Sequence, residues 1–257
     1  MARDKALALG RTSNPALTKE VFTRAAQTTA TGTATMTIGG TVNRAAFLLL
    51  LLILAAVYVW MKFVGIENPP ALGPWILAGA IGGLVVALII IFAKRTAPYL
   101  SPVYAVLEGL ALGAISTMME ARFPGIVLQA VALTFGTLLV LLAAYKSGLI
   151  KATENFKLGV VAATGAIALI YVATFVLGFF DIGIPYIHES GIVGIIFSLV
   201  VVVVAALNLV LDFDFIEAGA ERGAPKFMEW YAAFGLLLTL VWLYLEILRL
   251  LSKIRSR

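Results

Sequence analysis

The stretch AAFLLLLLILAAVYVWMKFV, Ala45 to Val64, carries one charge, Lys62, in 20 residues. A helix rises about 1.5 Å per residue, so roughly 20 apolar residues cross a bilayer core about 30 Å thick. Six further runs of this kind follow: Pro74 to Ala93, Leu100 to Met119, Gly125 to Tyr145, Leu158 to Phe180, Gly191 to Leu211 and Met228 to Leu251. The 257 residues are 61% hydrophobic and 13% charged, which lies outside the soluble globular range and excludes a soluble enzyme. The sequence predicts an all-α membrane protein with seven transmembrane helices. Short connections make consecutive helices antiparallel neighbours, so residues 44–257 are expected to form a single domain.

Residues 1–43 are polar and rich in Thr, Ala and Gly, as in Thr28-Thr29-Ala30-Thr31-Gly32-Thr33. Such a segment buries too little apolar surface to offset its ordering entropy and is expected to be a disordered cytoplasmic tail. The first apolar run begins too late, and is too long, for a cleaved secretory signal, so it is expected to remain as the first span.

The formal charge of +5 does not point to nucleic acid, because the basic residues form no single stripe. They fall instead in the tail (Arg3, Lys5, Arg11, Lys19, Arg24, Arg44) and in alternate loops (Lys94 and Arg95; Lys146, Lys151 and Lys157; Arg222 and Lys226). Only Lys62 and Arg122 lie on the other side, apart from the C-terminus. Cytoplasmic loops carry the excess of Lys and Arg, so the amino terminus is expected in the cytoplasm. Seven crossings then place Arg249, Lys253, Arg255 and Arg257 outside, against the charge rule. A full crossing of the last helix is favoured here over a re-entrant segment, because earlier helices often overrule late charges.

Among the seven runs, only Leu100 to Met119 has an ionisable residue near its middle, Glu108. An acid inside a span costs about 3 kcal/mol or more, so such groups usually face a bundle interior or a water-filled cavity and mark ion or proton paths. At 100° per residue Ser101, Tyr104 and Glu108 share one narrow sector, continued by Leu112, Ile115 and Met119. Gly109 and Gly113 form a small-xxx-small pair beside it. The plainer reading of Glu108 is a protonated, hydrogen-bonded packing residue.

A second constellation is Asn208-Leu209-Val210-Leu211-Asp212-Phe213-Asp214-Phe215-Ile216-Glu217. Asn208 and Asp212 share one helix face, whereas Asp214, Glu217 and Glu221 share another. Periodicity therefore selects Asp212 as the inward acid and leaves Asp214 nearer solvent; a solvated acidic helix end is the plainer alternative. Glu246 stands three residues before Arg249, the spacing of an ion pair within one helix. His188, the single histidine, lies in a loop and is expected to be solvated.

Several chemistries lack their residues. There is no cysteine, and one histidine cannot build a multi-histidine metal centre. No Gly-x-Gly-Asp or Gly-x-Ser-Gly motif supports an intramembrane protease, and the last run holds no lysine for a retinal Schiff base. Neither an enzyme nor a cofactor is expected.

From Gly40 to Ile254 the chain resembles the Bax-inhibitor-like (transmembrane Bax inhibitor motif) membrane family, in its bacterial branch. The resemblance rests on Glu108-Gly109-Leu110, on Phe213-Asp214 followed by Ile216-Glu217, and on Leu243-Tyr244-Leu245-Glu246. It implies seven helices with the last at the centre of the bundle, and a calcium leak controlled by pH through an aspartate pair on the last two helices that shares a proton. In this chain the last-helix acid is Glu246 instead of aspartate. A shifted alignment would place Thr239 at the partner position. Resemblance favours Asp214 and periodicity favours Asp212.

Together these readings give an expected pH-sensitive cation leak, with Ca²⁺ as the ion, in a bacterial cytoplasmic membrane. Glu108, Asp212, Asp214 and Glu246 are the expected ion-binding or gating carboxylates, with Glu108 and Asp212 as candidate Ca²⁺ ligands, since hard oxygen ligands suit calcium. Expected partners are the lipid bilayer and Ca²⁺ or H⁺. The alternatives are a regulator of another membrane complex such as a protease, and a proton-coupled transporter of small solutes.

Overall fold

The computed structural model describes residues 34–65, 72–178, 180 and 191–256. They form seven α-helices: α1 Ile38–Phe63, α2 Leu72–Phe92, α3 Ala97–Arg122, α4 Ile126–Lys146, α5 Glu154–Gly178, α6 Ile192–Glu221 and α7 Met228–Arg255. All seven are long and apolar enough to cross a membrane, and the chain is an integral membrane protein. Each predicted run falls on one helix. In its most apolar stretch α7 is the most enclosed, 61% buried against 11% for α5.

Local chemistry sets the helix ends. Thr37 caps α1 by accepting the Gly40 N–H at 3.0 Å, the usual use of a threonine hydroxyl at that position. Pro98 occupies the first turn of α3, where a missing N–H costs nothing. After α3, the Glu120 carboxylate accepts the N–H groups of Gly125 and Val127 at 2.5 and 3.1 Å. Gly125 itself has φ +80°, a conformation that favours glycine.

One helix start departs from expectation, and one helix end extends beyond its apolar run as the acidic faces required. The first helix starts at Ile38, and Thr35 already pairs with Pro225 as an isolated β-bridge, so residues 35–43, expected to be part of the tail, are structured. The reason is tertiary: the segment takes its partners from the turn between α6 and α7, which its own composition does not reveal. Residues 1–33 of the expected tail lie outside the described residues. The sixth helix runs past Leu211 to Glu221, carrying the acidic segment in helical form. His188 falls outside the described residues.

The described residues divide into two compact units, one of residues 34–127 and 215–238, the other of residues 128–214 and 239–256. The helices α6 and α7 are each continuous and contribute to both.

In the first unit α3 packs on both α1 and α2. A Cβ on Gly113 would stand 2.5 Å from the Ala56 carbonyl oxygen, and one on Gly79 2.5 Å from that of Leu107. Glycines here let helix backbones touch, which substitutes for the hydrophobic drive that lipid does not supply. Val59, Phe63, Leu72 and Ala114 close one end of this packing, with Trp75 set edge-on to Phe63 at 6.3 Å.

In the second unit Ile167 of α5 packs with Val201 and Val204 of α6, under Trp242 of α7. The basic end of α7 is tied to earlier helices: the buried Lys253 Nζ donates to the Gly194 carbonyl at 3.1 Å and to Ser198 Oγ at 2.9 Å. Arg255 donates to Gln129 at 2.9 Å. Outer faces carry exposed Leu77, Leu139, Leu169 and Phe175, as helices facing acyl chains should.

Candidate functional site

Glu108 lies in the first unit on α3, one turn beyond Tyr104 and half-buried. It faces α2: a Cβ on Gly83 would come within 2.7 Å of Glu108 Oε2, so the missing side chain makes room for the carboxylate. Ser101 and Tyr104 beneath it are buried, and the Tyr104 ring meets Phe234 of α7 edge-on at 4.9 Å. None of the stripe from Ser101 to Met119 is exposed. The stripe was expected to face protein or water, and each of its residues is buried or half-buried.

The other three expected carboxylates belong to the second unit. Asp212 is 1% exposed and Asn208 4%. The Asn208 amide donates to Thr164 Oγ1 of α5 at 2.9 Å and to the Val204 carbonyl at 2.8 Å. Asp214 is more exposed and accepts an ion pair from Lys157 Nζ of α5 at 2.6 Å. The structure therefore places Asp212 on the inward face and Asp214 toward the rim, as periodicity required.

Glu246 is buried on α7 and bonded to two groups. Arg249 Nη1 reaches its two oxygens at 2.9 and 3.1 Å, and the Tyr171 hydroxyl of α5 donates to Oε1 at 2.9 Å. The Arg249 guanidinium also lies over the Tyr171 ring, 5.2 Å from its centre. Asp214 and Glu246 thus take separate cations, Lys157 and Arg249, instead of forming the shared-proton pair that the resemblance implied for the last two helices. The physical reason is electrostatic: a carboxylate with a cation already at 2.6 to 2.9 Å gains more from that charge than from a second acid.

Among the described residues no group of three or more His, Cys, Asp or Glu side chains stands together as a metal site would need. Glu108 and Asp212, the candidate Ca²⁺ ligands, fall in different units.

Two charged residues escaped the sequence reading. Lys157 counts among loop cations by position, yet it lies in the first turn of α5 and is buried against Asp214. Glu229, in the first turn of α7, is wholly buried. It pairs with Arg44 of α1 and with Lys226 Nζ at 2.8 Å, and accepts both the N–H and the hydroxyl of Thr37 at 2.9 Å. The Lys226 to Glu229 spacing was the one local signal. The contacts to Thr37 span 192 residues and leave no periodic trace.

A family model described as Bax inhibitor 1 like matches residues 14–256. Comparisons with curated proteins and with solved structures returned no match. With the match running almost from end to end over a seven-helix membrane architecture, the chain belongs to the Bax inhibitor 1 like family.

Proposed function

We propose that this protein is a pH-sensitive cation leak of the bacterial cytoplasmic membrane, with Ca²⁺ as the ion carried. The observation that carries the reading is Asp212: a carboxyl 1% exposed within an apolar helix, on the same face as Asn208. Buried acids inside spans are expensive to keep and commonly line ion or proton paths, and carboxylate and amide oxygens are hard donors of the kind calcium takes. Glu108, half-buried on α3 in the other unit, is a second carboxyl inside a span.

The buried Lys157 ammonium is held by Asp214 at 2.6 Å, with Glu154 at 4.0 Å, and a buried cation that loses its partner is unstable where it stands, so this pair is where charge can control the contact of α5 with α6. Glu246, held by Arg249 and Tyr171, fixes α7 against α5.

Purified protein in liposomes should pass Ca²⁺ without any partner, at a rate that changes with pH. Asp212→Asn should alter the rate and flatten the pH profile more than Asp214→Asn does. A larger effect at Asp214 would transfer control to its pair with Lys157. Flux only with an added solute would support a proton-coupled transporter, and silence a regulator of another membrane complex.

The reading also requires an orientation. A reporter fused after Arg24 should read cytoplasmic and one after Arg257 extracytoplasmic, as seven crossings from a cytoplasmic amino terminus demand. A cytoplasmic signal at both ends would mean that α7 does not cross.

A further inference from the structure

The segment before α1 does not simply lead into the membrane. It crosses the turn between α6 and α7 and is bonded there. The Met36 N–H donates to the Ala224 carbonyl at 2.6 Å, and the Lys226 N–H donates to the Ala34 carbonyl at 3.1 Å, on either side of the Thr35 and Pro225 pair. Met36 and Ala224 are 2% and 1% exposed. One hydroxyl, that of Thr37, both accepts the Gly40 N–H to cap α1 and donates to Glu229 Oε1.

Everything converges on Glu229. Its Oε1 accepts from the Thr37 N–H, the Thr37 hydroxyl and Lys226 Nζ, while Arg44 pairs with Oε2. Arg44 is held in turn by the Gly40 carbonyl at 2.9 Å and lies over the Trp230 ring, 5.3 Å from its centre. A Cβ at Gly40 would fall on the Glu229 carboxylate, so the glycine is required for the contact. This is a built site, with donors from the arm, from α1 and from the turn.

We infer that residues 34–37 are a strap that Glu229 fastens across the α6–α7 turn, and that fastening and release of this strap regulate the leak. Two features favour a releasable device over a static brace. A buried ion cluster contributes less net stability than apolar packing of the same volume, and its best-attested use is to fix one arrangement against another. The backbone part is only two hydrogen bonds long, and such short attachments belong to the segments that open locally without global unfolding. The strap holds the end of the same continuous helix that bears Asp212 and Asp214, so its release frees the turn that anchors that helix.

The inference rests on the leak reading, and its test separates the two. The chain has no cysteine, so Thr35→Cys with Pro225→Cys introduces a lone pair of thiols. Their position between two flanking ladder bonds brings the Cα atoms to about 4.5 Å, within the range a disulfide spans. In proteoliposomes of the full chain, oxidation should lower Ca²⁺ flux about tenfold and reductant should restore it. Glu229→Gln should raise flux and speed hydrogen exchange at Met36, Thr37 and Lys226. Equal flux in the fully cross-linked and reduced protein overturns the strap. A parent silent at every pH removes the leak reading instead. Exchange then decides alone, and unchanged protection at those three amides in Glu229→Gln would also overturn the strap.

Discussion

Replacing Gly109 by leucine should sharply lower both the yield and the thermal stability of the folded protein. A Cβ at this position would collide with the Leu52 carbonyl oxygen and stand 2.8 Å from the Ala55 Cβ. The obstacle is largely α1 backbone, which cannot rotate aside as a flexible side chain would. One turn on, Gly113 meets Ala56 in the same way, with its Cα at 2.8 Å, so α1 and α3 would have to separate along their whole contact. Overpacking a tight core by a few atoms costs typically 1–3 kcal/mol, and more where the obstacle cannot move aside, a large share of the 5–15 kcal/mol by which folded proteins are usually stable. The control is Gly136→Ala or Gly165→Ala, where nothing lies within 4 Å of the added carbon. Those variants should be neutral or gain up to about 1 kcal/mol from helix propensity. Thermal unfolding and size-exclusion profiles in detergent separate the two groups. A well-folded Gly109→Leu protein would mean that α1 and α3 tolerate a wider spacing than their backbone contact at Leu52 and Ala56.

Glu108→Gln should insert and fold but lose much of the pH response of Ca²⁺ flux. The amide keeps the size of the side chain and most of its hydrogen bonding, and it places no charge within the span, so the fold should not suffer. It removes the one group on α3 that can change charge in mid-span. If the carboxylate lowers the barrier for a passing divalent cation by about 1.4 kcal/mol, its loss slows flux about tenfold. Gly83→Ala offers a gentler version of the same test. The new methyl would lie 2.7 Å from Glu108 Oε2, and the carboxylate, at the end of a flexible side chain, would move away without disturbing either backbone. Flux and pH profile should shift while stability does not. Parent-like behaviour in both variants would make Glu108 a packing residue.

The seven helices were legible because a 20-residue apolar run has few other uses, and their number did not depend on knowing any contact. The face of α6 was legible too: Asn208 and Asp212 are four apart, and both are buried. What stayed hidden was set by partners far along the chain. Ile38 to Asn43 reads as the end of a polar tail, yet it is helical because Thr37 caps it and Glu229 holds Thr37 in place. Lys157 reads as a loop cation until α5 and α6 bring it to Asp214. The resemblance pointed to an acid pair on the last two helices, and the structure gives each acid its own cation, a difference fixed by the placement of Lys157 and Arg249 rather than by the motif itself.

The basic end of α7 has a consequence for how the chain is made. Arg249, Lys253 and Arg255 find acceptors on α5, α6 and α4, at Tyr171, at Gly194 and Ser198, and at Gln129. All of these leave the ribosome before α7 does. A final segment released alone into lipid would have to move its cations through hydrocarbon against their usual preference. One released beside its finished neighbours meets carbonyl, hydroxyl and amide oxygens already waiting. On the seven-crossing topology proposed above, insertion of α7 is templated by protein, and its orientation is inherited from the six helices synthesised ahead of it.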